Sequence, residues 1–448
     1  MDIATLIPQF GGVLQTLAAF VVALSIIVAI HEYGHYIVGR WSGIKADVFS
    51  LGFGPVLFSR VDKHGTKWQF ALLPLGGYVK FRGDADAASA QSDEEAIRTM
   101  STEERRATMA GAPLWARTAT VAAGPVFNFI FAILIFFAVF MMRGDIREPL
   151  TVGELTAMPT TQELREGDVL LSVDGQDVPD FEDAEAFESF VDNLSVANDL
   201  DYRVLREGDE VTVTAPYPYP AIVSGLAPQS AAFDVGLKVG DVVVNVEGQE
   251  IVSFNQMKEI VESSEGRPLL TKVWRDGEVL DFALAARSVD VPNSEGGFDT
   301  HWRIGVSGGI FFEPARGTPS AIDAFLGGVA QTWRIISGSV SAVWHIATGQ
   351  ISTCNLSGPI GIAETSGQMA SLGATDFIWF VAVLSAAVGF LNLFPIPVLD
   401  GGHLVFYAYE AVFRRPPHEK VVQIAMSIGL VLILSLMVFS LTQDLTCP

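Results

Sequence analysis

Five residues near the start of the chain could do chemistry together: His31-Glu32-Tyr33-Gly34-His35. On a helix, His31 and His35 are four apart and share one face. Two imidazoles at that spacing can hold one Zn2+, and Glu32 beside them is a candidate general base. These residues continue the apolar run Val13 to Ile30. Histidine and glutamate on such a helix are costly in hydrocarbon and mark function. A zinc site with an open position needs a third protein ligand. The stretch Asn392-Leu393-Phe394-Pro395-Ile396-Pro397-Val398-Leu399-Asp400-Gly401-Gly402 offers Asp400, the one acidic residue near the end of its apolar run. Pro395 and Pro397 break the helix there. The extended backbone they leave at membrane depth survives only where it lines a protein cavity. Asp400 could instead cap a helix beside the glycine turn; its opposition to the histidines from the same membrane face favours ligation. His403 is read as structural or supporting.

The elements that must position these residues are membrane spans. Four apolar runs stand out: Val13 to Ile30, Val121 to Met142, Phe377 to Phe394 and Val421 to Leu441. A spanning helix needs about 20 predominantly apolar residues, so all four read as transmembrane helices. The first does not read as a cleaved signal peptide, because residues 1–12 hold no Lys or Arg. A weaker stretch, Ala321 to Ile351, carries Trp333 and Trp344 but also Arg334 and His345, and reads as an interfacial amphipathic helix.

Composition agrees. Half of the 448 residues are apolar and 18% are charged, with mean hydropathy +0.37. That excludes a disordered chain and argues against an ordinary soluble enzyme. A net charge of −23 argues against a nucleic-acid partner. Two cysteines, Cys354 and Cys447, with no CxxC argue against a disulfide scaffold or a cysteine zinc knuckle.

The charge is segregated. Residues 143–376 hold 36 acidic against 14 basic residues, net −22. Residues 39–117 hold 11 basic and 9 acidic, and Arg414, Arg415 and Lys420 crowd the last loop. Lys and Arg favour the cytoplasmic side. Both termini and the acidic centre are therefore expected outside, with the 39–117 and Arg414 loops inside.

The acidic centre repeats itself. Residues 167–178 (GDVLLSVDGQDV) match residues 240–251 (GDVVVNVEGQEI), and Arg206-Glu207-Gly208 echoes Arg275-Asp276-Gly277. Each copy reads as a buried strand, a tight Asp-Gly or Glu-Gly turn and a second strand. With Ser230-Ala231-Ala232 and Val235-Gly236-Leu237, the second copy resembles the circularly permuted PDZ domains of bacterial envelope proteases. The first lacks a comparable lead-in before Arg165-Glu166-Gly167-Asp168. Peptide capture by strand addition and a simple size filter both stay open.

Val56-Leu57-Phe58 and Lys67 to Leu73 flank the polar turn Asp62-Lys63-His64-Gly65 and read as a hairpin, with His64 an exposed turn residue. Residues Asp84 to Arg106 read as a loop, helical from Thr102.

HExxH in the first span with Asn-x-x-Pro-x-Pro-x-Leu-Asp-Gly in the third resembles the site-2 protease family of intramembrane zinc metalloproteases. Pro74 to Lys80, Gly124-Pro125-Val126-Phe127-Asn128 and Ser357-Gly358-Pro359-Ile360-Gly361 extend the likeness along the chain. The PDZ pair resembles the regulator-of-sigma-E protease branch. The resemblance implies Zn2+ on His31, His35 and Asp400, with Glu32 activating water. It implies substrate contact at Asn392, Pro395 and Pro397, and at Gly76, Gly77 and Tyr78 of a re-entrant β element. Substrates would be single-span proteins already trimmed outside, such as a membrane anti-sigma factor, and remnant signal peptides; peptide C-termini could dock on the PDZ domains. The place would be the bacterial inner membrane, with periplasmic PDZ domains and the active site near the cytoplasmic side.

The expected fold class is a polytopic α-helical membrane protein with four transmembrane helices, a re-entrant β hairpin and two extracytoplasmic α+β PDZ domains. Residues 1–142 would hold spans one and two, 143–220 and 221–290 the PDZ-like copies, 291–376 a linker with the amphipathic helix, and 377–448 spans three and four. A zinc transporter or a non-catalytic PDZ scaffold are the competing readings.

Overall fold

The computed structural model describes residues 3–84, 99–181, 183–293, 297–355 and 357–446. The chain divides into two compact units. Residues 1–139, 321–347 and 356–448 form one, and residues 140–320 with 348–355 form the other.

The first unit opens with α1 (Ile3–Trp41), β1 (Ala46–Val61) and β2 (Lys67–Phe81), then α2 (Thr102–Arg106) and α3 (Leu114–Arg143). Most of the loop expected before Thr102 (residues 85–98) lies outside the described residues. The short α2 starts where expected, with Ser101 and Glu104 forming a reciprocal capping box. In α1 and α3, residues Gly12–Trp41 and Leu114–Arg143 are long and apolar enough to cross a membrane.

The expected hairpin forms around the Asp62 turn, with Val61 opposite Lys67 and Phe58 opposite Phe70. The start of β1 also pairs with the end of β2, Leu51 opposite Gly77 and Ala46 opposite Phe81. Asp62 ties this sheet to α1. It accepts hydrogen bonds from the backbone N–H groups of His64 and Thr66, from the Trp68 indole at 3.0 Å and from the Tyr36 hydroxyl at 3.1 Å. Burial alone would raise its pKa, but these donors bring it down to about 2. The tie falls one residue after His35, so the sheet is anchored beside the candidate metal ligands.

The second unit contains β3 (Asp145–Ile146), β4 (Val152–Leu155), β5 (Val169–Val173), β6 (Gln176–Asp177), α4 (Ala184–Asn193), β7 (Leu200–Arg206) and β8 (Asp209–Ala215). It continues with β9 (Gly225–Leu226), α5 (Ala231–Asp234), β10 (Val242–Val246), β11 (Gln249–Glu250), α6 (Phe254–Ser263), β12 (Leu269–Arg275) and β13 (Glu278–Leu284). β14 (Arg287–Pro292), β15 (Phe298–Arg303), β16 (Val306–Ser307), β17 (Phe312–Pro314) and β18 (Arg316–Gly317) complete it. The two repeats give the same four-stranded sheet, ordered β6-β5-β7-β8 and β11-β10-β12-β13. Their turns need positive φ. Asp174-Gly175 and Glu247-Gly248 adopt it, at 49° and 79° and at 53° and 84°.

The boundary between the copies differs from the expectation. The stretch 291–376 is not a linker at its start: β16 pairs with β9, β17 with β4 and β18 with β3. Phe311 and Phe312 are buried in the core of the first copy, beside Leu150, Val152 and Tyr202. Ile304 is buried in the core of the second. The second domain is thus inserted into the first, which is closed only when the chain returns at residue 311. The chain enters and leaves the insert at neighbouring points, with Ser224 Oγ donating to the Gly308 carbonyl at 2.6 Å.

Each copy repeats one buried ion pair. Arg206 is bidentate on Asp168 (2.8 and 2.7 Å), and Arg275 on Asp241 (2.6 and 2.6 Å). Burial pushes the Asp168 carboxyl up, but the Arg206 guanidinium and the Arg165 N–H outweigh it and hold the pKa below the usual carboxylate range. A lowered folded-state pKa contributes stability above the unfolded value of about 4, and that stability is lost as pH falls through the folded value. Hydrogen exchange in β5 and β7 is therefore expected to accelerate between pH 5 and pH 3 beyond its intrinsic pH dependence. Asp168→Asn should exchange faster at pH 7 and show a smaller change on acidification. An Asp168→Asn profile parallel to the wild type would refute this.

The first unit resumes with α7 (Ala321–Ala347), α8 (Pro359–Leu372), α9 (Ala374–Asn392), α10 (Asp400–Phe413) and α11 (Glu419–Thr446). α7 covers most of the stretch 321–351. It buries Ala324, Gly328 and Thr332, with Gly328 against the backbone of Ile133 and Phe137 in α3, and leaves Trp333 and Trp344 exposed. α8 was not expected. Its N-terminal N–H groups are satisfied from α11: Asp444 accepts from Gly358, Ile360 and Gly361 at 2.7, 3.0 and 3.2 Å. This gives the Ser357 to Gly361 motif a structural role. Cys354 is disulfide-bonded; the other cysteine, Cys447, lies outside the described residues.

Ala23 and Ile27 of α1 and Val381 of α9 form a core, with Phe131 of α3 packed against it. Small residues let these helices approach. A Cβ on Gly34 would lie 2.5 Å from the Ala123 carbonyl, and one on Gly389 would lie 3.1 Å from the Pro125 carbonyl. The two ends of the candidate site are thereby brought to one place on α3.

Candidate active site

His31 and His35 lie on one face of α1, as their spacing predicts, and their Nε2 atoms are 3.1 Å apart. Asp400 opens α10, just after the turn over residues 393–399 that Pro395 and Pro397 keep from being helical. Its Oδ2 lies 3.1 Å from His31 Nε2 and 3.5 Å from His35 Nε2. Among the described residues, this trio is the group of His, Cys, Asp or Glu side chains whose donor atoms converge as metal ligands do.

α3 orients the two rings. His35 Nδ1 is 2.9 Å from the Thr120 carbonyl, which can only accept, so Nδ1 carries the proton and Nε2 presents a lone pair. His31 Nδ1 is 3.3 Å from the buried Asn128 amide. Amide nitrogen and oxygen are assigned from their surroundings, and as assigned Asn128 Oδ1 is buried with no partner. Turning that amide gives Oδ1 the Nδ1 proton of His31 and frees the second Nε2. Gly124 leaves the room both rings occupy: a Cβ there would meet His35 Cε1 at 2.5 Å and His31 Cε1 at 2.8 Å.

The trio fits zinc. Asp400 Oδ2 is buried without a hydrogen-bond partner, which is costly unless a cation faces it. Tetrahedral zinc with bonds of about 2.0–2.1 Å sets its ligand atoms about 3.3 Å apart. The observed separations of 3.1, 3.1 and 3.5 Å straddle that value.

Glu32 accepts a hydrogen bond from the Val79 backbone N–H of β2. The strand passes close overhead. A Cβ on Gly77 would lie 3.2 Å from Glu32 Cγ and 2.8 Å from the Ser50 carbonyl. Gly76 faces the Phe53 ring, and the Tyr78 hydroxyl accepts from Gln69 at 3.1 Å. These three residues thus lie on the strand over the candidate base. Asn392 ends α9, and its amide donates to the Val388 carbonyl of its own helix at 3.1 Å. Pro397 packs at the position of Gly429 in α11. His403 lies one turn past Asp400, against Phe406. His64 is exposed and bonded to Arg40 at 2.8 Å, outside the trio.

Thr120 and Asn128 received no role from the sequence. They stand 85 and 97 residues from the histidines they touch; the signals at Asn128 were that it interrupts an apolar run and closes the Gly124-Pro125-Val126-Phe127-Asn128 motif.

Known proteins are similar to this chain along nearly its whole length. Residues 19–436 match the family described as peptidase family M50. A candidate zinc metalloprotease of Agrobacterium fabrum is 36% identical, covering 99% of this chain and 98% of its own. The regulator of sigma-E protease RseP of Salmonella typhimurium is 32% identical, covering 97% and 99%. A candidate zinc metalloprotease of Vibrio cholerae is 31% identical, covering 97% and 99%. With the match running through both histidines, the proline turn and Asp400, the chain belongs to peptidase family M50 and is an intramembrane zinc metalloprotease.

Proposed function

We propose that His31, His35 and Asp400 hold the zinc ion, that Glu32 is the general base and acid, and that the substrate is a single-span membrane protein already shortened outside the membrane. The convergence of three donor atoms on the helix turn that bears Glu32 carries this reading. Bound zinc supplies a Lewis acid that polarises the scissile carbonyl and brings the pKa of water towards neutrality. Glu32 takes the proton of the attacking water and passes it to the leaving amine. The Val79 N–H holds the carboxylate in place for both transfers.

Before attack, a helical substrate must be unwound, because its peptide groups are hydrogen-bonded internally. We assign that step to the β1–β2 sheet, with Gly76, Gly77 and Tyr78 on the pairing strand, Asn392 at the end of α9, and Pro395 and Pro397 on the turn that follows it. The sheet supports a re-entrant position, since Leu57, Phe58 and Leu72 are all more than half exposed and apolar side chains on that scale suit lipid rather than water.

The two inserted β domains are assigned as PDZ-like and extracytoplasmic, in the periplasm of a bacterial cell. The Lys and Arg of the 39–117 and Arg414 loops, which place the intervening domains on the opposite side, and the disulfide at Cys354 favour the outer, oxidising side. The name of the Salmonella relative suggests a membrane anti-sigma factor as substrate, and remnant signal peptides would present the same short outer segment. The domains then act as a size filter.

Purified protein in detergent is expected to cleave a single-span substrate with its outer domain removed, and to leave the intact substrate largely uncut. Equal cleavage of both would refute selection by trimming, and zinc flux into proteoliposomes without cleavage would favour transport. The nested topology dictates how the filter is tested. Deleting residues 151–290 would remove β4 and orphan β17 with Phe311 and Phe312. Joining Ser224 to Gly308 removes the second domain alone. That excision is expected to raise cleavage of the untrimmed substrate several-fold. Lost cleavage of the trimmed one would instead mean that peptide binding activates the enzyme.

A further inference from the structure

Thr120, Gly124 and Asn128 meet the two histidines, and Arg117 continues their line. Steps of three, four and four residues keep all four on one face of α3. Arg117 does not touch the histidines. Its Nη1 and Nη2 donate to Glu410 Oε2 and Oε1 at 3.1 and 2.7 Å, and its guanidinium lies 5.3 Å from the centre of the Tyr407 ring. The pair is mostly withdrawn from solvent, with the side chains 16% and 18% exposed. A bidentate Arg–carboxylate pair is directional as well as attractive.

Glu410 belongs to the helix that Asp400 opens. It lies ten residues further on, about 15 Å along the axis at 1.5 Å per residue. One face of α3 therefore holds both imidazoles and also holds the far end of the helix that presents Asp400. The start of α10 is set by the preceding turn, through Leu399 N–H to the Ile396 carbonyl at 2.8 Å. Its direction is set at the other end, by Glu410 on Arg117.

We infer that the Arg117–Glu410 pair is a positioning clamp for the metal site: it fixes the tilt of α10, so that Asp400 Oδ2 meets His31 and His35 at ligand separation. The inference rests on reading those three residues as the zinc ligands. Arg117 and Glu410 are positioning residues, since neither reaches the reacting atoms. A pair that merely held the helices together would affect stability without a specific effect on zinc.

The test compares zinc affinity by chelator competition, kcat and KM, and thermal midpoint with and without zinc, in full-length protein. Arg117→Met and Glu410→Gln are each expected to raise the zinc Kd about 10-fold, the low end of the range for losing a group bonded directly to a metal ligand, because this pair acts on Asp400 only through the length of α10. They should lower kcat with KM little changed. Breaking a mostly buried pair on one side lowers the thermal midpoint with or without zinc, so the clamp is read as a smaller rise of the midpoint on adding zinc than in the wild type. The reversed double variant R117E/E410R should recover most of the zinc affinity. Single variants binding zinc within twofold of wild type would overturn the clamp, as would a double variant no better than the singles. If Arg117→Met does not fold, Glu410→Gln, which keeps the size of the side chain, decides alone. His31→Ala is measured alongside. Retained zinc in that variant overturns the ligand reading itself, whereas zinc lost there but kept in the Arg117 and Glu410 variants overturns the clamp alone.

Discussion

Glu32→Gln is expected to abolish peptide cleavage while leaving zinc bound. The substitution keeps the shape of the side chain, which matters because β2 leaves little room over it: a Cβ on Gly77 would already be 3.2 Å from Glu32 Cγ. The amide oxygen can still accept from the Val79 N–H that Glu32 engages. Neither histidine nor Asp400 is altered, so the converging donor atoms remain. What disappears is the group that takes a proton from water and delivers it to the leaving amine. General acid–base catalysis contributes about 10²- to 10⁴-fold, and here one side chain serves both transfers, so a loss at the upper end is expected. The measurement is kcat on a trimmed single-span substrate, with zinc content and thermal midpoint recorded on the same preparation. Cleavage within tenfold of wild type would assign the base elsewhere. Zinc lost together with activity would mean that Glu32 supports the metal site rather than the proton transfers.

The sequence made the two ends of this site legible because each is a local pattern. HExxH fixes a helix face by spacing alone, and the proline turn before Asp400 announces a broken helix. The β turns were equally local: Asp-Gly and Glu-Gly pairs predicted positive φ, which Asp174, Gly175, Glu247 and Gly248 adopt. What remained hidden depends on distant partners. Thr120 uses its backbone carbonyl on His35, and a carbonyl leaves no trace in residue type. Asn128 stood in a motif but without a partner, and Arg117 and Glu410 are ordinary polar residues until the helices pack. The insertion of one β domain in the other was hidden for the same reason. The run Ile310-Phe311-Phe312 reads as generic apolar sequence, and only its burial beside Val152 and Tyr202 shows which domain it completes. The α8 helix was missed because its N-terminus is satisfied by Asp444, more than eighty residues away.

Gly124→Ala is expected to disturb both imidazoles of the metal site at once. The new Cβ would lie 2.5 Å from His35 Cε1 and 2.8 Å from His31 Cε1, well inside van der Waals contact. Three responses could relieve the clash. The rings could rotate, but His35 would then lose the Thr120 carbonyl and His31 the Asn128 amide, which set their tautomers. α3 could retreat, but this stretch of it is in close contact on two sides, with Gly34 of α1 on the Ala123 carbonyl and Gly389 of α9 on the Pro125 carbonyl. α1 could shift, but Asp62 ties Tyr36 to the sheet. Ring displacement is the cheapest, because it moves two side chains and no backbone. The donor separations of 3.1 to 3.5 Å then no longer suit one small cation. Zinc affinity should fall by at least about 10- to 100-fold, the range for losing a single outer partner, since both rings lose theirs at once. Cleavage should fall with it and return partly at high zinc. Gly12→Ala is the matched control. It lies on the same kind of apolar helix, a Cβ there meets nothing within 4 Å, and the change should be neutral or stabilising by up to about 1 kcal/mol. A Gly124→Ala protein that binds zinc as tightly as the Gly12→Ala protein would show that the imidazoles do not rest against α3. The account of α3 as the frame of the site would then fail with it.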